Sequence, residues 1–173
     1  MKVELILAII VGLALFLSDL AFGWLTMISG PIPVIFIMAL LIGIIAGGIG
    51  KAVLCTLVSW VFGLLIGTLT APILLADVVS PSQDFFTLFI IVFLYSLRGM
   101  YSFTYEGNII EVLVTGLLYL IVMMIFTPVI YLMSFIFSAL GGYIGIVIRR
   151  TRSKPQETTQ PATQAPADIP DIQ

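Results

Sequence analysis

A chain of 173 residues that is 61% hydrophobic and 9% charged, with a mean hydropathy of +1.23, carries more apolar surface than one water-soluble core can hide, so lipid is its expected solvent. The net charge of -2, with basic residues scattered singly except near the C-terminus, gives nucleic-acid binding no support. With no histidine the usual general base, metal ligand and pH switch are missing, and the single Cys55 excludes an internal disulfide or a cysteine-built metal site. No cofactor is expected.

The apolar run from Val3 to about Ile28 is too long for a signal-peptide core and reads as a retained helix. Ser29-Gly30-Pro31-Ile32-Pro33 is turn chemistry, because two prolines and a glycine disfavour continuing the helix. From Pro33 to Ala76 there is no polar loop, yet one helix of that length would measure roughly 66 Å, about twice the ~30 Å hydrocarbon layer. The chain must reverse, and Gly47-Gly48-Ile49-Gly50-Lys51 is the expected turn between helices over Val34–Ile49 and Ala52–Ala76. Asp77 to Asp84 follows as a polar loop.

A fourth segment starts at Phe85 and runs to Leu97, or to Phe103 at most, with a re-entrant or tilted helix as the alternative to a full span. Gly99 to Asn108 reads as loop. Ile109 to Ile148 is again about 60 Å of apolar chain, and Thr127-Pro128 is the expected corner between a fifth and a sixth helix. Beyond Arg150 the composition turns to Pro, Thr, Gln and Ala, which cannot bury a core, so 1–150 forms the transmembrane domain and 151–173 a disordered tail.

The expected fold is therefore all-α: a polytopic membrane bundle of about six transmembrane helices. Basic residues accumulate on the cytoplasmic side, which places Lys2, Lys51, Arg98 and the Arg149–Lys154 cluster inside with both termini, and Asp77 and Asp84 outside. Trp24 and Tyr131 then fall near the outer face and Tyr101, Tyr105 and Tyr143 near the inner one. Trp60 does not fit that belt.

Laying Pro33–Gly50 over Pro128–Gly145 without gaps matches Pro-Val-Ile-Phe-Ile-Met-Ala with Pro-Val-Ile-Tyr-Leu-Met-Ser. Gly47 then falls on Gly142 and Gly50 on Gly145. This register suggests a duplicated helical hairpin, helices one and two corresponding to five and six, in parallel orientation.

Three pairs of glycines at four-residue spacing, Gly43 and Gly47, Gly63 and Gly67, Gly141 and Gly145, are notches that let helix backbones approach in lipid. They suit packing inside one chain, or contact with a second copy or a membrane partner subunit. Asp19, preceded by Ser18, is the acidic residue inside a span and so the candidate polar site; near the outer interface it is expected to be solvated or bonded to Ser18. Glu111 and Arg98 read as interfacial charges. Neither a zinc-protease motif nor a phosphate-loop context is present, and an enzyme is not expected.

Gly43-Ile44-Ile45-Ala46-Gly47-Gly48-Ile49-Gly50-Lys51 and Ala139-Leu140-Gly141-Gly142-Tyr143-Ile144-Gly145 resemble the glycine-rich turns of small, uncharacterised polytopic membrane proteins found mainly in archaea. The resemblance implies a compact glycine-packed bundle and supplies no activity. The expected role is that of a non-enzymatic structural or accessory bundle in the cell membrane; the alternative is a small-solute or ion transporter or channel with a site between the repeats.

Overall fold

The computed structural model describes residues 2–30, 32–76, 78–80, 82–97 and 109–152, and every regular element among them is a helix. The helices are α1 (Lys2–Phe22), α2 (Trp24–Ser29), α3 (Val34–Ala46), α4 (Ile49–Leu74), α5 (Phe85–Tyr95) and α6 (Ile109–Arg152). By length and composition α1, α4 and α6 are able to cross a membrane, while α3 and α5 are shorter apolar helices.

The breaks follow local chemistry. Gly23, at φ 67°, takes a left-handed conformation that an L side chain resists, so the first apolar run divides into α1 and α2 where one helix was expected. Gly47, at φ 62°, closes α3 by donating its N–H to the Gly43 carbonyl at 3.0 Å. Gly48 is extended and α4 begins at Ile49, so the reversal needs two glycines and is tighter than the sequence implied. Pro72 lies in the last turn of α4, which ends at Leu74. Asp84 opens α5 by accepting from the Thr87 N–H.

The corner expected at Thr127-Pro128 is not formed. α6 runs unbroken through Pro128 for 44 residues, about 66 Å of helix. A proline removes one helical hydrogen bond, whereas a loop in apolar surroundings would strand several backbone groups, and no glycine beside Pro128 offers the left-handed exit that Gly47 supplies. The two prolines of the suggested repeat therefore differ in role: Pro33 precedes a helix and Pro128 lies inside one.

Contacts fix the helix directions. The Cys55 thiol and Ser59 hydroxyl of α4 reach the carbonyls of Leu5 and Ile9, and Gly63 and Gly67 face Phe16 and Leu20, so α1 and α4 rise together. Thr56 meets Ser138 and Trp60 meets Ser134, so α6 runs against α4. Leu40 lies against Gly141, Ile44 against Gly145 and Ile45 against Arg149, so α3 and the second half of α6 are parallel. α5 descends against α4, with Val92 at Gly67 and Ser96 at Tyr131.

The α3–α6 seam is the most extensive helix pair, and backbone touches backbone along it. A Cβ on Gly43 would strike the Ser138 carbonyl, one on Gly141 the Leu40 carbonyl, and one on Gly145 the Ile44 carbonyl. Lipid tails give apolar helices no hydrophobic reason to associate, so close van der Waals contact of this kind is what holds them. At one end of the seam Arg149 donates to Glu4 at 3.0 Å and to the Ile45 carbonyl at 2.7 Å, over Gly47.

Tyr131 and Trp60 both lie inside the bundle, which corrects the outer-face position expected for Tyr131. Trp24 and Tyr143 are exposed. The expectations for Arg98, Tyr101, Tyr105, the Glu111 side chain and the tail from 153 onward lie outside the described residues.

Candidate functional site

The site is built on the α1–α2 elbow. Because Gly23 has no side chain to cap α2, Asp19, one turn back on α1, does so: Thr26 donates its N–H to Oδ1 at 2.9 Å and its hydroxyl to Oδ2 at 2.8 Å. The carboxylate thus meets the positive end of α2 and is withdrawn from solvent, with Asp19 only 5% exposed. The solvated position and the Ser18 partner expected from sequence are both replaced. Ser18 instead donates to the Leu15 carbonyl at 3.0 Å and accepts from the Trp24 indole at 3.1 Å.

Beside Asp19 is a small, partly open cleft whose interior has room for about a single water molecule. α1 contributes Phe16 and Leu20 to it with Asp19, α3 closes it with Ile35 and Met38, and the end of α5 brings Tyr95 and Ser96. Ser18 does not line it. Sequence reasoning singled out Asp19 by its charge but missed Thr26, Tyr95 and Ser96, because nothing in their spacing says that an elbow and the tip of a short helix converge there.

Below the cleft the described side chains pack closely against one another. Ser96 donates to the Phe93 carbonyl at 2.7 Å, which uses its one proton, so Tyr131 donates to Ser96 at 2.9 Å. The Tyr131 ring stacks on Phe93 at 5.1 Å and meets Trp60 edge-on at 5.9 Å, and Trp60 lies 5.7 Å from Phe16. One turn deeper the Trp60 indole donates to Ser134 at 3.0 Å, and Thr56 bonds Ser138 at 2.7 Å. Four rings and a ladder of paired hydroxyls therefore stand between the cleft and the Glu4–Arg149 end.

All six expected packing glycines face another helix of the same chain. Gly43, Gly47, Gly141 and Gly145 share the α3–α6 seam, and Gly63 and Gly67 receive Phe16 and Leu20 from α1. What the arrangement offers chemically is one buried, hydrogen-bonded carboxylate in a small pocket. Among the described residues no group of three or more Asp, Glu or Cys side chains is placed to hold a metal ion.

No family model, curated protein or solved structure matches the chain.

Proposed function

We propose that this chain is a non-enzymatic multi-pass membrane protein that serves as a structural or accessory bundle, docking through the apolar flank of α6 onto a membrane partner or a second copy of itself. The observation that carries this reading is the imbalance along α6. One face of its second half, with Ile130, Tyr131, Ser134 and Ser138, is buried against the other helices, whereas in the first half Leu117, Leu118, Leu120, Ile121, Ile125 and Phe126 are all exposed. A helix of about 66 Å is twice the hydrocarbon thickness, and among its described residues the helix contacts are concentrated on the second half. That uncovered apolar length is surface for another membrane component.

On this reading α1, α3, α4 and α6 cross the membrane and α5, about 17 Å long, enters from the Asp84 side and stops at the depth of Tyr131. The expected six crossings need α6 to bend at Pro128. Either count puts both ends of the chain on one side, in keeping with the Glu4–Arg149 pair. The excess of basic residues makes that side cytoplasmic. A membrane-impermeant thiol reagent applied to intact cells should label a cysteine at Ser82 and spare one at Thr158; the opposite pattern inverts the assignment.

The docking role is tested by purification in mild detergent with mass measurement of the particle, and by crosslinking from cysteines at Ile121 and Ile125. A strictly monomeric, partner-free particle with no crosslinks would overturn it. The buried carboxylate beside a cleft favours a second reading, a small-solute or ion pathway in which Asp19 is the binding group. Flux or ligand binding unchanged in Asp19→Asn removes that residue from any such pathway.

A further inference from the structure

The basic residues on the described helices are gathered at one end of the fold, and one of them bonds within the protein itself. Of the seven Lys and Arg in the chain, Lys2, Lys51, Arg149, Arg150 and Arg152 stand on helices at the Glu4 end. Arg149 is turned inward, bonded to Glu4 and the Ile45 carbonyl. Glu4 is the one acidic residue on the described helices at that end, and the ion pair engages it.

Among the described side chains, Lys51 and Arg150 have no such assignment. Arg150 is exposed at the end of α6. Lys51 occupies the first turn of α4, where a cation opposes the helix dipole, so helix stability does not account for it. Just beneath these residues the surface is apolar and open: Leu54, Tyr143, Val147 and Ile148 are all exposed. Cations directly above an apolar belt stand at the depth of lipid phosphates, and each is attracted to an anionic leaflet.

We propose that this end of the bundle is an anionic-lipid collar, in which Lys51 and Arg150 hold the head groups of negatively charged phospholipids. The inference rests on the membrane reading above and on no particular partner.

The test uses the full-length protein in phosphatidylcholine bilayers carrying a trace of spin-labelled phosphatidylglycerol or spin-labelled phosphatidylcholine, comparing the motionally restricted fractions. The collar predicts a preference for phosphatidylglycerol of roughly fivefold, weakened by added salt. That preference should disappear in Lys51→Gln/Arg150→Gln, survive in the charge-keeping Lys51→Arg/Arg150→Lys, and survive in Asp84→Asn at the far end. Equal restriction of both labels, or a preference unchanged in the double glutamine variant, overturns the collar while leaving the membrane reading intact. No restricted component for either label overturns both.

Discussion

The Trp60 indole donates to the Ser134 hydroxyl at 3.0 Å across the α4–α6 interface, with both residues buried. Removing the acceptor strands a buried N–H, which costs about 1–3 kcal/mol. Ser134→Ala should therefore lower the thermal midpoint in detergent and shift Trp60 emission in a Trp24→Phe background. An unchanged midpoint would mean that the pair contributes nothing to holding α6.

Two glycine substitutions should act in opposite directions. Gly43→Ala drives a methyl into the Ser138 backbone and is expected to cost about 1–3 kcal/mol or to spread the seam. Gly50→Ala meets nothing within 4 Å and lies on α4, so it should be neutral or stabilise by up to about 1 kcal/mol. Equal effects of the two in thermal or denaturant unfolding would contradict the seam geometry.

Asp19 and Thr26 share two hydrogen bonds and should behave as a unit. A double-mutant cycle of Asp19→Asn and Thr26→Val is expected to show a coupling of about 0.5–3 kcal/mol. Additive effects would place the carboxylate's main role elsewhere.

The Thr127 hydroxyl is buried and finds no hydrogen-bond partner among the described residues. Replacing an orphaned buried hydroxyl by a methyl removes an unpaid desolvation cost, so Thr127→Val should raise stability by about 1 kcal/mol. A destabilised variant would show that the hydroxyl has a partner in the membrane.

Asp84 caps α5 from an exposed position, and bonds from the Thr87 hydroxyl and N–H hold its carboxyl below the usual carboxylate range. A depressed folded value means that the cap's stabilisation is complete above the ordinary carboxylate pKa and fades as the pH falls through the lowered one. Order at α5, followed by a probe at Phe86, should therefore hold through neutral pH and loosen only in strong acid. Asp84→Ala should remove that acid transition.

Length arithmetic makes the apolar helices and the reversal at Gly47-Gly48 legible, because both depend on residues adjacent in the chain. The glycine spacing likewise points to close packing, since Gly43, Gly141 and Gly145 lack the atoms that would keep backbones apart. The break at Gly23 was missed because a lone glycine in an apolar run does not announce its φ. Pro128 misled in the opposite sense: a proline signals a break on its own, but whether the helix yields depends on where the freed carbonyl and the surrounding backbone find partners. Tyr131 reads as interfacial and Trp60 fits no belt, and the hydroxyls of Ser96 and Ser134, 35 and 74 residues away in sequence, are what satisfy them inside the bundle.

Arg149 joins α1 and α3 from near the far end of α6, and the same helix supplies the partners of Thr56, Trp60 and Gly43. On the membrane reading proposed above, the earlier helices are made with Thr56 and Trp60 unmatched and the groove at Gly43 empty. The bundle can therefore close only once the last helix is in place, and a chain cut before α6 would lack the contacts that join α1, α3 and α4 to one another through it.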